Sequence, residues 1–374
     1  MRTLRRVLVV HPFGIGDLLF ITPVLRALRL VPTVETVDLL LGSRTRAVVE
    51  NNPHVNDIFV VDKDRMRRQT RWENFREVLE LGRKLRAKHY DLILDYSLRR
   101  EHAFCGRFVL GIPQCAGFAF KKRAVFHTIR YPLAEGFLKR HAADHYCDLA
   151  ELAGISVEDR FLEFYFPPDA EALEKQVVKK MGGIGKPFLT LSPGGGDSWG
   201  REAAFKRWPV KNIAEFVRKL QTKLDVKGIC ILGSASEKEL CEELKRSLGI
   251  PAVVLAGETS LNETAMILKK SALFAGNDGG LVHLARALEV PLIGFYGPVP
   301  PEVYGPYPPS QSAATVFKKG LECRPCYHKF RFNNACATIA CLTELTPEDA
   351  IRSLDEQSFF EGSFGRQRAQ TQDH

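Results

Sequence analysis

No apolar run in the 374-residue chain reaches the roughly 18 residues that a membrane span needs, so the sequence predicts none. Nor does the sequence predict a secretory leader. The basic start Met1–Arg6 and the apolar Val7–Val10 resemble one superficially, but the run breaks at His11-Pro12 and carries Asp17. No small-residue cleavage site follows. An even, regularly spaced set of cysteines is also missing. There are nine, and Cys105, Cys115, Cys147, Cys230 and Cys241 stand singly. That excludes a secreted disulfide framework and predicts a reducing, cytoplasmic setting. No repeat of fixed period occurs, which excludes a solenoid or propeller.

What remains is an ordinary globular composition, 45% apolar and 26% charged, long enough for two domains. The net charge is +9, and residues 1–166 carry +7 of it. Such an excess points to an anionic partner on the first half: phosphate groups, acidic sugars, nucleic acid or a membrane surface. General solubility is the competing explanation.

Short apolar runs at Val7–Val10, Val37–Leu41, Ile58–Val61 and Leu92–Leu94 alternate with helical stretches at Leu18–Leu30 and Trp72–Lys88. Strand alternating with helix predicts a parallel sheet covered on both faces. Pro167-Pro168 interrupts the pattern as a linker. A helix at Ala170–Met181 follows, and the alternation restarts. Strands are expected at Phe188–Leu191, Gly228–Leu232, Ala252–Leu255, Leu273–Ala275 and Pro291–Phe295. Helices are expected at Ile213–Leu224, Ser236–Leu248, Leu261–Lys270 and Leu281–Leu288. A last helix is expected at Pro347–Leu354, before a polar tail. The predicted class is α/β, with two doubly wound domains in tandem and a ligand cleft between them at the carboxyl ends of the strands.

Four segments could carry chemistry. In Gly14-Ile15-Gly16-Asp17, Leu19 stands where a dinucleotide fingerprint needs its third glycine, so that reading fails. What is left is a glycine turn presenting Asp17 at a helix start, either as a residue favoured by the helix dipole or as a general base. Ser192-Pro193-Gly194-Gly195-Gly196 ends a strand and precedes Lys206-Arg207-Trp208-Pro209. It lacks the Gly-Lys-Ser/Thr of a Walker loop, but its backbone could approach a diphosphate, with Lys206 as a point charge. Asn277-Asp278-Gly279-Gly280 runs into a helix whose free N–H groups suit a phosphate, and His283 lies one turn in. Cys323, Cys326, Cys336 and Cys341 are clustered. A structural zinc ion, loose thiols and an oxidised disulfide are all open readings, since the usual second C-x2-C is absent.

Taken in order with Phe295-Tyr296-Gly297-Pro298, these motifs resemble glycosyltransferase family 9, the lipopolysaccharide heptosyltransferases, from about Val7 to about Ala350. Each motif alone is weak; the ordered set is specific. The Cys323–Cys341 segment also looks like the Cys-Pro-Cys region of many members. The resemblance implies a GT-B fold of two Rossmann-like domains: residues 1–166 for the acceptor and 167–345 for the nucleotide sugar. A C-terminal helix over 346–360 and a tail over 361–374 complete the chain.

It also implies inverting, metal-independent transfer of heptose from ADP-heptose to Kdo–lipid A or heptosyl-Kdo–lipid A. That chemistry needs no cofactor and no nucleic-acid partner, and belongs in the cytoplasm at the inner membrane surface. On this sequence the family's base falls on Asp17 and its diphosphate lysine on Lys206. Its Asp-Thr-Gly-x-x-His element falls on Asp278, Gly279, Gly280 and His283, and its ribose-holding acid on Glu237. Gly194 and Gly195 belong to the donor loop. Gly279 stands where threonine is typical, and the stretch Asp197–Phe205 is longer than in the best-known members. Arg67, Arg68, Lys122 and Arg123, in the densest basic clusters of the first domain, are the candidate acceptor contacts. The alternatives are a relative using another nucleotide sugar, a GT-B nucleotide-sugar 2-epimerase, and a non-catalytic sugar-nucleotide or glycan-binding module.

Overall fold

The computed structural model describes residues 3–137, 140–318, 320–332, 336 and 338–361. The side chains of Asp197, Ser198, Trp199 and Arg201, and the tail beyond Glu361, lie outside the described residues. The chain forms two compact units, residues 1–165 and 166–374.

The first unit is built on six parallel strands: β1 (Arg6–His11), β2 (Thr36–Gly42), β3 (Ile58–Val61), β4 (Leu92–Asp95), β5 (Gln114–Ala119) and β6 (Ile129–Pro132). Their order is β3-β2-β1-β4-β5-β6. Side chains alternate along a strand, so Leu8, Val10, Leu40, Ile93 and Cys115 share one face. They form a core there with Leu85 and Ile112, which Leu81 and Leu110 pack against. Leu81 and Leu85 belong to the helix Arg71–Ala87, which Thr70 and Glu73 begin with a capping box. The stretch expected as one helix over Leu18–Leu30 is two, Ile15–Leu19 and Thr22–Leu30. Pro23 has no N–H to continue a helix through this point, and the Thr22 hydroxyl donates to the Leu19 carbonyl at 2.8 Å.

The second unit repeats the plan with β7 (Phe188–Ser192), β8 (Gly228–Ile231), β9 (Ala252–Val254), β10 (Leu273–Asn277), β11 (Leu292–Tyr296) and β12 (Ala313–Phe317), ordered β12-β11-β10-β7-β8-β9. Its core takes in Trp208, Phe216 and Phe295 and, from the end of the chain, Leu345, Ala350, Leu354 and Phe359. The helix Pro347–Glu356, begun by a capping box of Thr346 and Asp349, is therefore part of this unit.

In both units the chain leaves the central pair of strands in opposite directions. From β1 it goes to β2 and β3, and from β4 to β5 and β6; β7 and β10 divide the second sheet in the same way. Such a switch point opens a crevice at the carboxyl ends of the strands, where ligands of α/β sheets bind.

Candidate functional site

The residues that the sequence assigns to the donor gather at the switch point of the second unit. Gly276 of β10 pairs in register with Ser192 of β7, so Gly194-Gly195-Gly196 and Asp278-Gly279-Gly280 emerge side by side. Asn277 ties them together. Its side-chain amide donates to the Pro193 carbonyl at 2.7 Å, and its oxygen accepts from the Trp208 backbone N–H at 3.1 Å. The sequence motif includes Asn277 but assigns it no role of its own. Trp208 is anchored in turn: its indole N–H donates to the Leu345 carbonyl at 2.9 Å, and its ring lies 4.5 Å from that of Phe295. A rigid core residue thus fixes where Lys206, two positions earlier, can reach.

Lys206 Nζ lies 2.7 Å from Asp278 Oδ2, and both side chains are almost wholly buried. The glycines are needed for space. A Cβ on Gly195 would come within 3.0 Å of the Ala203 carbonyl and of Lys206, and one on Gly194 would fall 2.0 Å from the Glu237 carboxylate. Glu237 is buried. Its Oε1 accepts from the Gly196 N–H at 3.1 Å and its Oε2 from the Ser234 N–H at 2.9 Å, with Arg207 Nη2 3.7 Å away. It is thereby a buckle on the glycine loop, whatever else it holds. Gly279 precedes the helix Gly280–Ala287 without a side-chain cap, and no acid occupies the first turn. The positive end of that helix faces the same loops, and His283 is buried on it.

Asp17 belongs to the first unit. It is half-buried on the helix Ile15–Leu19, directly after the central strand β1. Behind it His11 ends β1 fully buried, its ring edge-on to Phe13 and Tyr146. Burial pushes its pKa down to about 3, so the imidazole is neutral at physiological pH. At the end of neighbouring β4, Asp95 Oδ2 is 3.3 Å from His127 Nε2, both buried. Gly117 makes room for that ring, since a Cβ there would lie 2.1 Å from Nε2. Only a carboxylate closing an apolar strand hinted at this pair in the sequence.

The structure separates the acceptor candidates. Lys122 and Arg123 line a cavity of about 520 Å³ together with Arg99, Arg100, Glu101 and Lys121. Arg67 and Arg68 end the helix Lys63–Arg68, where Arg67 pairs with Asp64 at 3.2 Å. Arg99 and Arg100, a basic pair in plain sight, were missed.

All four clustered cysteines are free thiols. The Cys326 thiol donates to the Cys323 carbonyl at 3.2 Å, and Cys336 accepts from the Ile339 N–H at 3.3 Å. Burial pushes the Cys341 thiol up to about 11. Among the described residues no group of three or more His, Cys, Asp or Glu is arranged to hold a metal ion.

The family model of glycosyltransferase family 9 (heptosyltransferase) matches residues 78–336. The chain belongs to that family. It is a glycosyltransferase, an enzyme, as the ordered motifs imply. Lipopolysaccharide heptosyltransferase 2 of Escherichia coli K12 is 24% identical over 363 residues, which cover 94% of this chain and 97% of the relative. Two solved structures share the fold. The family 9 glycosyl transferase of Veillonella parvula superposes with a TM-score of 0.74 at 19% identity, covering 96% of this chain and 99% of that one. The Escherichia coli ADP-heptose lps heptosyltransferase II does so with 0.68 at 22%, covering 94% and 98%. The architecture is thus GT-B, two Rossmann-like α/β domains, as the resemblance implies. Among the described residues no helix is long and apolar enough to cross a membrane.

Proposed function

We propose that this glycosyltransferase moves a heptose from ADP-heptose to the lipopolysaccharide inner core, Kdo–lipid A or heptosyl-Kdo–lipid A, with inversion at the anomeric carbon. One observation carries the reading: a buried Lys206–Asp278 pair, a glycine loop and an uncapped helix start converge at the switch point of the second unit. Asp17 takes the proton of an acceptor hydroxyl as that oxygen attacks the anomeric carbon. The bond from that carbon to the diphosphate breaks, and ADP departs with the bonding pair. Lys206 and the N–H groups at Gly279 and Gly280 stabilise the charge developing on it. These fixed donors do the work that a divalent cation does elsewhere, so the step needs no metal. Glu237 holds the ribose edge of the donor, and His283 supports the diphosphate. Arg67, Arg68, Lys122 and Arg123 meet the carboxylates and phosphates of the acceptor. The enzyme works in the cytoplasm, in peripheral contact with the inner membrane surface.

The test is ADP release from ADP-heptose with a Kdo–lipid A acceptor. Asp17→Asn keeps the volume but cannot take the proton, so kcat falls at least about a hundredfold while ADP affinity holds. Near-normal turnover in that variant removes Asp17 from the mechanism. Complete inhibition by EDTA, reversed by Mg²⁺, overturns the metal-free step.

A further inference from the structure

Large apolar side chains left in water need a reason when they cluster, and in the first unit they do. Trp72 is 67% exposed and Phe75 55%, with Leu79 also exposed, all on the helix Arg71–Ala87. At about 100° per residue these three form one stripe, with Leu81 and Leu85 on the core side. The Trp72 and Phe75 rings stack 5.7 Å apart. A second group follows in the next two crossovers. Phe104 and Phe108 (58% exposed) pack on one another and on Phe126, next to exposed Val125.

Both groups lie on the same side of the sheet. The crossovers β3 to β4, β4 to β5 and β5 to β6 all advance in one direction across it. Right-handed connections therefore put all three on one face. The shared core agrees: Leu85 from the first and Ile112 from the second meet over Leu8, Val10 and Ile93. Leu30, Leu152 and Phe161, also exposed, lie on or beside the helices Thr22–Leu30 and Ala142–Leu152. Those helices follow β1 and β6, and Phe161 stacks on Arg26 of the first.

The charge on this surface is of one sign where it matters. Arg76 flanks the apolar stripe, and Arg83 and Arg86 continue it. Neither Arg83 nor Arg86 makes an ion pair among the described residues. Glu73, Glu77 and Glu80 fall on a separate stripe, where Glu77 pairs with Arg65 and Glu80 with Lys84. Glu73 is engaged by Thr70. Beside the second aromatic group lies the cavity lined by five cations and one acid.

We infer that this face of the first unit is a docking surface for an anionic phospholipid bilayer. The helix Arg71–Ala87 lies in the plane of the interface. Trp72, Phe75 and Leu79 enter the acyl boundary beside Phe104 and Phe108, and the arginines meet headgroup phosphates. Aromatic residues favour that depth, and each cation near an anionic surface adds to the attraction. The inference rests on the reading above that the acceptor is a membrane lipid, and it assigns the contact to named residues.

The experiment is flotation of the full-length protein with vesicles of phosphatidylcholine alone or mixed with phosphatidylglycerol, without donor or acceptor. The protein binds the anionic vesicles, binding weakens as salt rises, and Trp72 emission shifts to the blue, a shift absent in Trp72→Phe. Trp72→Ser/Phe75→Ser/Leu79→Ser lowers vesicle binding at least about tenfold. The charge variant Arg76→Glu/Arg83→Glu, at exposed positions, gives the same result by another route should the triple variant unfold. Both variants keep wild-type kcat on a lipid-free Kdo acceptor. Absence of binding to anionic vesicles, or unchanged binding in both variants, overturns the inference. So does a wild-type dimer that the triple variant dissociates without any vesicle effect, which assigns the face to a second copy of the chain. Vesicle binding without heptosyl transfer overturns the functional reading and leaves the docking surface standing.

Discussion

Lys206→Met probes the proposed donor site and the fold of the second unit at once. Methionine fills the same channel, but it leaves the Asp278 carboxylate buried without the charge that now lies 2.7 Å away. Breaking a buried pair from one side costs about 3–5 kcal/mol. Adding Asp278→Asn removes the stranded charge, and the double variant regains all but about 1–2 kcal/mol, the cost of a poorly bonded buried amide. Donor binding follows a different rule. A hydrogen bond between Lys206 and a diphosphate is worth about 1.5–3 kcal/mol, so ADP affinity falls roughly 10- to 150-fold in the single and the double variant alike. Urea unfolding followed by tryptophan fluorescence reads the first quantity, because Trp208 is buried two residues from the mutation. Calorimetric titration with ADP reads the second. The reasoning fails if the double variant is no more stable than the single one. It fails separately if Lys206→Met binds ADP within about threefold of wild type, a difference of under 1 kcal/mol.

Gly194→Ala drives a methyl group into the Glu237 carboxylate, which two backbone N–H groups hold in place. ADP affinity drops about tenfold, the cost of one displaced charge-assisted hydrogen bond, as measured by the same titration. His11 gives a pH prediction. Its pKa is about 3 when folded and 6.5 when free, so between those values the unfolded chain binds the extra proton and stability rises with pH. The His11 contribution is complete above about pH 6.5 and is lost progressively as the pH falls toward 3, by up to roughly 5 kcal/mol. His11→Leu flattens that acid limb in urea titrations; an unchanged limb assigns it to other groups. Neutralising Arg67, Arg68, Lys122 and Arg123 together raises KM for the lipid acceptor and flattens its salt dependence, with ADP affinity constant. Unchanged acceptor kinetics leave the +7 excess as a solubility feature.

Nine of the twelve main strands were legible because their apolar runs are rich in Val, Ile and Leu. The other three were not, for definite reasons. β5 reads Gln-Cys-Ala-Gly-Phe-Ala, with almost no β-branched character, and its glycine is there to accommodate His127. β6 is a four-residue edge strand ending in Pro132, and β12 is a half-buried edge after a proline-rich stretch. The glycine-rich and Asp-Gly-Gly segments of the second unit were legible one by one as motifs. That Ser192 and Gly276 are neighbours is a property of strand order, which spacing alone does not encode. The Asp95–His127 pair, far apart in sequence, left no pattern to read.

The carbonyl of Leu345 accepts from both Trp208 Nε1 and Asn212 Nδ2, and Leu354 and Phe359 close the same core. This has a consequence for the order of synthesis. Domains fold as they leave the ribosome, N-terminal first. The first unit has all six of its strands by Pro132 and its last helix by Leu152, so it can fold while more than half the chain is still untranslated. The lysine segment and glycine loop are made midway but have no finished floor until the last helix emerges. A nascent chain stalled or cut before Leu345 would therefore display a complete first unit and an unfinished second one with two buried donors unpaired, a species marked for proteolysis rather than for partial activity.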